Sequence, residues 1–283
     1  MKAISIIAII RPFYLICLYI YSVFRKLIAP KNTIGFLLDT TVGRYIVGIE
    51  DMGVGKKLSR DSIYGKSELD QIMNLVSSES SVLFVGGHVG TLAIPTSRYV
   101  EQVTVIEANP QTFQFLQANI ELNQARNVTA LQLAANDTNG EISFLANRTN
   151  SGISKRMPAE RLFRYFYDRP TIMNVGCDRL DDILQDKKFN LIFMDIEGSE
   201  YFALKGMPNL LRLADNLIVE FMPHHLKEVG GIGIGELLSV ISPYFSSCYI
   251  PTKNQVMYQD EMVDGLHEMF IKGHCDDGIV FSK

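Results

Sequence analysis

The sequence predicts an α/β protein with a Rossmann-like, doubly wound sheet and helices on both faces, and three observations carry that reading. Ser80 to Pro110 runs strand, glycine turn, helix, strand, acid: the apolar run Val82 to Val85 is stopped by Gly86-Gly87, a helix begins past Gly90, and a second strand, Val103 to Ile106, ends on Glu107. A further apolar strand, Asn190 to Met194, delivers Asp195, Glu197 and Glu200 in quick succession. Val128 to Leu133 and Leu217 to Val219 are two more apolar runs that end on polar residues. In open α/β sheets that carboxyl edge is where ligands bind.

The chain opens on a different chemistry. Ala3 to Phe24 is almost wholly apolar, Arg25, Lys26 and Lys31 follow, and no acid precedes Asp39. The run is close to the roughly 20 residues a membrane span requires, but Arg11 and Pro12 interrupt it, and a central arginine costs about 2.5 to 3.5 kcal/mol on insertion. Three readings stay open: a signal anchor with its positive flank inside, a shallow segment bent at Pro12, and a buried hydrophobic helix. No small-x-small site follows Phe24, which argues against a cleaved signal peptide. The first two readings bring residues 3–31 to a membrane surface, with the basic residues facing anionic lipid.

Phe36 to Glu79 carries short apolar runs, a turn at Gly53-Val54-Gly55, and Leu69, Ile72, Met73 and Val76 at helical spacing, so it predicts a hairpin and a helix covering the sheet. The chain therefore divides into an apolar segment (1–31), a cover (32–79) and one catalytic domain (80–283). A chain of 283 residues can bury one large core without a second domain.

The glycine turn and its acid carry the first functional signal. Glu107 follows Gly90 by about 17 positions, near the roughly 20 at which an acid on the second strand of such sheets accepts hydrogen bonds from both ribose hydroxyls. A dinucleotide site needs GxGxxG, whereas the glycines here are Gly86, Gly87 and Gly90. That spacing favours a nucleoside without phosphates, and S-adenosylmethionine is the candidate cofactor. Past Glu107, Asn109 suits a helix N-cap, Pro110 the first helical position, and Phe113, Leu116 and Ile120 share one face. The third strand runs into Asn136 and Asp137, a polar pair that either meets the adenine or forms a simple turn.

Asn147 to Pro170 is long and basic, with arginines interleaved with aromatics, and reads as a substrate lid, a surface for phosphate head groups, or a solvated loop. Asp195 and Glu197 should share the crevice with Gly86 and Glu107, where a carboxylate can take a hydroxyl proton or hold a divalent cation. After Glu220 come His224 and His225; neighbouring side chains on extended backbone point to opposite faces, so at most one of them reaches the site, and His224 is the choice.

Charge and cysteines bound the partners. A net charge of −4 gives no basic field to draw nucleic acid, so a nucleic-acid substrate is not expected. Cys17, Cys177, Cys248 and Cys275 form neither a CxxC pair nor a metal-ligand spacing, and read as reduced. The expected location is cytoplasmic, with residues 3–31 as the attachment to the cytoplasmic membrane face.

Four features in order resemble the FkbM-type family of S-adenosylmethionine-dependent methyltransferases: LFVGGHVG, the acid in IEANP, Asn150 to Gly152 before Leu180-Asp181-Asp182, and MDIEGSEY. The resemblance implies a seven-stranded methyltransferase sheet and methyl transfer to oxygen, with a sugar, glycolipid or other small-molecule acceptor. It places the cofactor loop on Gly86, Gly87, His88 and Gly90, the ribose acid on Glu107, the adenine-side acid on Asp137, and an acidic strand-end motif on Asp195 and Glu197. Asp195 or Glu197 would act as base or hold magnesium. The chain departs from the family at Phe84, where an acid would help hold the cofactor's amine, and at His88, which replaces an asparagine and is a candidate substitute. Two rivals follow: a catalytically silent methyltransferase-like subunit of a glycan assembly complex, which Phe84 favours, and a nicotinamide oxidoreductase, which the glycine spacing disfavours.

Overall fold

The structure is a computed structural model that describes the backbone of residues 6–283 and the side chains of residues 11–283. Ala3, Ile4 and Ser5 of the apolar segment lie outside the described residues. The segment forms one helix, Ile6–Ile28, which runs through Pro12. The proline removes one backbone donor near the start of a long helix, which ends past Arg25 and Lys26, two cations that suit its carboxyl end. Among the described residues no helix is long and apolar enough to cross a membrane.

The cover follows as an antiparallel hairpin, β1 (Gly35–Thr40) and β2 (Gly43–Gly48), and two helices, Val54–Asp61 and Lys66–Leu75. The glycine-rich stretch expected as a turn instead starts the first of those helices, because Asp51 Oδ1 accepts the free amides of Gly53 and Gly55 at 2.9 and 3.2 Å.

β3 (Ser81–Val85), β4 (Gln102–Glu107) and β5 (Val128–Gln132) come next. Between β5 and the rest of the domain lies an insertion with its own four-stranded sheet: β6 (Ala134–Ala135), β7 (Gly140–Ala146), β8 (Lys155–Arg156) and β9 (Thr171–Asp178), in the order β6-β9-β7-β8. The chain then returns through β10 (Leu191–Met194), β11 (Asn216–Phe221), β12 (Ser247–Ile250), β13 (Gln255–Tyr258) and β14 (Asp276–Ser282). The main sheet runs β13-β12-β14-β11-β10-β3-β4-β5, parallel from β5 to β11 and antiparallel beyond.

That sheet has eight strands where seven were expected. The edge strand β13 is the difference: β12 turns back on itself through Pro251–Lys253 and Asn254, whose left-handed φ of 46° closes the turn. Strand alternation sorts the core. Leu83 and Val85 join the apolar cluster on one face, Val82 and Phe84 the cluster on the other. Phe84 sits opposite Phe193 in register, with ring centroids 5.6 Å apart.

The helix after β4 follows its sequence signals. Asn109 Oδ1 accepts the Gln111 amide at 3.1 Å, Pro110 opens the helix Pro110–Leu122, and Phe113 and Leu116 are buried beneath it. This order of strands brings the carboxyl ends of β3, β4 and β10 together on one rim.

Candidate active site

At that rim a crevice opens, lined by Gly86, Gly87, His88, Glu107, Asn136, Ser151, Asp195 and Glu197 and floored by Phe84 and Phe193. The glycine turn is demanded by the protein itself. Gly86 has φ 91°, and a Cβ there would stand 2.0 Å from the carbonyl oxygen of Asp195. A Cβ on Gly87 would stand 1.9 Å from Val105 Cγ1. Both glycines thus let the ends of β3, β4 and β10 close up beneath the crevice.

His88 takes a left-handed φ of 49°, which aims its amide at Glu107 Oε2, 2.8 Å away. The Asn109 amide meets Oε1 at 2.8 Å. The carboxylate is therefore fixed by two donors at the tip of β4 and faces the crevice with lone pairs to spare. It is 8 % exposed, and burial raises its pKa to about 7 against the pull of those amides. The His88 ring meets Ser151 Oγ at 2.7 Å, and the Ser151 hydroxyl donates to Asp51 Oδ2. One hydroxyl proton cannot serve both neighbours, so His88 Nε2 carries its own proton and donates. Burial lowers the pKa of this ring.

The second half of the site hangs on β10. Asp195 Oδ1 is buried without a hydrogen-bond partner, and burial, then Glu197 and Glu200, push its pKa well above the usual carboxylate range. Glu197, at a left-handed φ of 57°, accepts from Lys155 Nζ at 2.9 Å. Glu200 Oε1 takes the amides of Ile196 and Gly198 at 3.2 and 3.1 Å, so this third acid shapes the loop. His225 Nδ1 lies 3.1 Å from Glu197 Oε2, close but off the hydrogen-bond line, and 3.8 Å from Glu220 Oε2. Burial, with Lys155 adding to it, lowers the His225 pKa and keeps the ring neutral.

Several sequence-predicted residues fall elsewhere. Asp137 does not line the crevice; its Oδ2 pairs with Lys205 Nζ at 2.8 Å. Asn136 does line it, but its amide donates to Thr138 Oγ1 at 3.0 Å. Pro223–His225 is a helical turn, not extended backbone, so the two histidines are not split between faces: their rings lie 4.2 Å apart, and His225 rather than His224 stands beside Glu197. The stretch 147–170 is anchored to the body. Asp168 holds the amides of Arg148 and Thr149 at 2.8 and 2.9 Å, while Arg164 and Tyr165 both bond Glu228. The sequence assigns Lys155, Ser151 and Asp51 no individual role and favours His224 over His225; Ser151 sits inside the Asn-Ser-Gly motif and His225 beside its neighbour after Glu220, while nothing local marks Lys155 or Asp51.

The donor set does not suit magnesium. Among the described residues the candidate metal ligands are Glu197, Glu220 and His225, and the ammonium of Lys155 already supplies a cation to Glu197.

The profile of the family described as Methyltransferase FkbM domain matches residues 85–262, more than half of the chain, and spans the crevice from β3 to the helix after β13. The chain belongs to the FkbM methyltransferase family. Among curated relatives of this FkbM chain, the hexuronic acid methyltransferase AglP of Haloferax volcanii is 28 % identical over 55 % of the chain, a stretch that spans 62 % of that protein. Methyltransferase 1 of Beauveria bassiana is 26 % identical over 58 % of the chain and 74 % of its own length. The crystal structure of methyltransferase FkbM from Methylobacillus flagellatus aligns at 17 % identity and TM-score 0.43, over 78 % of this chain and 47 % of that one.

Proposed function

We propose that this FkbM methyltransferase uses S-adenosylmethionine to methylate a hydroxyl of a sugar, glycolipid or related small molecule. The observation that carries the reading is the meeting, in one crevice, of the fixed Glu107 carboxylate with Asp195, whose buried Oδ1 has no hydrogen-bond partner. On this reading Glu107 accepts hydrogen bonds from both ribose hydroxyls. When bound, S-adenosylmethionine supplies an electrophilic methyl carbon on a positively charged sulfur. On this reading Asp195 would take the acceptor's hydroxyl proton as the methyl group passes from sulfur to the acceptor oxygen, the carbon–sulfur electron pair staying with sulfur. A raised pKa suits a carboxylate to that task. Glu197, neutralised by Lys155 and flanked by neutral His225, holds the neighbouring wall in place. A sugar acceptor is supported by the Haloferax volcanii relative, a hexuronic acid methyltransferase.

Phe84 favours the silent-subunit reading, since no acid stands there to meet the cofactor's amine. Calorimetry with S-adenosylmethionine separates the two: an enzyme gives saturable binding, a silent scaffold none. Incubation with methyl-labelled cofactor and glycolipid extracts, followed by mass analysis, should then find the label on a sugar oxygen. Label on nitrogen or carbon would overturn the O-methyl assignment.

A further inference from the structure

The helix Ile6–Ile28 presents an apolar stripe to solvent. Phe13, Ile20, Phe24 and Leu27 are exposed to 70, 61, 54 and 76 %. Their spacing puts all four on one side of the helix, the side that a surface helix ordinarily buries. Ser22, on the opposite side, is buried and meets Thr149 Oγ1 at 3.1 Å. The body of the protein therefore grips the helix by its back and leaves its apolar stripe outward. Beside the stripe, between helix and hairpin, runs a groove of about 740 Å³ with Leu18, Leu38, Val47 and Met52 in its walls and Arg25 and Lys56 as its charges.

We propose that this face docks on an anionic phospholipid bilayer, the helix lying in the plane of the head groups and the groove taking one acyl chain. Charge selects that occupant. From Ile6 to Leu38 the chain carries Arg11, Arg25, Lys26 and Lys31 and no acid. None of these cations lies within the stripe: Arg25 lines the groove, and Arg11 and Lys26 fall toward the Ser22 side of the helix. Two copies meeting through the stripe would still bring two acid-free basic segments within a screening length of each other, whereas anionic head groups neutralise them. A stripe too short and too interrupted to span can still bury its side chains at the acyl boundary. The helix Val54–Asp61 divides groove from crevice: Val54 lines the crevice, and Gly55, Lys56 and Ser59 line the groove. On the methyltransferase reading, a lipid-linked acceptor would reach the crevice from the bilayer.

The test sediments the full chain with vesicles of phosphatidylcholine alone and of phosphatidylcholine mixed with phosphatidylglycerol. Binding should require the anionic lipid and weaken as salt is raised. Phe24→Ser with Leu27→Ser should lower partitioning about tenfold for each side chain removed, with the melting temperature unchanged because both positions are exposed. A phosphatidylglycerol bearing a diazirine at the end of one acyl chain should label the groove walls. Absent or lipid-indifferent binding, labelling confined elsewhere, or lipid-free self-association abolished by the double substitution would overturn the proposal. None of these readouts involves methyl transfer, so failure here leaves the enzymatic reading standing, and failure of cofactor binding leaves this one standing.

Discussion

The ammonium of Lys155 lies 2.9 Å from Glu197 Oε2, with 1 and 10 % of the two side chains exposed, and so ties the inserted sheet to the loop after β10. The same ammonium stands 4.9 Å from the centre of the Tyr165 ring. Beyond Glu197, it is the cation whose field opposes the raised pKa values of Asp195 and Glu220.

Lys155→Met leaves Glu197 buried without its partner. Breaking a buried pair from one side costs about 3 to 5 kcal/mol, whereas removing both partners costs less. Urea unfolding should show that loss for Lys155→Met and a partial recovery in Lys155→Met with Glu197→Gln. A double variant no more stable than the single one would show that Lys155 acts through packing instead.

Gly86→Ala tests whether the glycine turn is structural before it is functional. The added carbon meets a backbone oxygen at 2.0 Å, and φ 91° is a conformation L residues rarely adopt. Rim strands must separate or the turn must flip, so a loss of several kcal/mol, on the order of the strain and overpacking terms combined, is expected from thermal melts. Cofactor affinity should fall with it even where the protein still folds. A stable variant with weakened affinity alone would place the glycine's role in ligand approach.

Much of this site was legible in the chain because its parts are local. Gly86, Gly87 and Glu107 sit at strand ends announced by apolar runs, and a strand end in a parallel sheet fixes where its next residue goes. Asn109 and Pro110 announce a helix start in the same local way. What stayed hidden depends on long-range contacts. Lys155 looked like one charge in a basic loop, and only the fold of β7 against β8 and β9 buries it beside Glu197. His224 and His225 could not be told apart without knowing that Pro223 opens a helical turn. The eighth strand was missed because β13 is a short edge strand with little apolar pattern, Gln255 and Tyr258 at its ends both being exposed.

Glu107 makes stability and affinity respond to pH in opposite senses. Its folded pKa of about 7 lies above the ordinary value of 4.5, so the folded state holds this proton more tightly than the unfolded chain. Stability from this group is therefore full below about 4.5, declines as pH rises, and is lost above about 7, an effect of ~3 kcal/mol at most. Glu107→Gln should remove that decline, so its stability relative to the parent should improve between pH 5 and about 7.5. Cofactor affinity should do the reverse, rising through pH ~7 in the parent as the carboxylate ionises, and staying low and flat in Glu107→Gln. Calorimetry across that range decides it: a parent affinity that does not change with pH would mean that Glu107 does not meet the ribose.

Asp195 is expected to matter to the rate far more than to binding. It lines the crevice, its buried Oδ1 has no hydrogen-bond partner, and its raised pKa marks it as a proton acceptor, whereas Glu197 is already paired. Asp195→Asn keeps the shape and removes the basic oxygen, so kcat should fall by about 10²- to 10⁴-fold while cofactor affinity changes little. The parent rate should climb with pH until the Asp195 carboxyl is ionised, at a pH above the ordinary carboxylate range, and the asparagine variant should lose that limb. His224→Asn provides the contrast: His225, not His224, stands beside Glu197, so its kcat should stay near that of the parent. A His224 variant as impaired as the Asp195 one, or an Asp195 variant that keeps the parent's pH profile, would move the base to another residue.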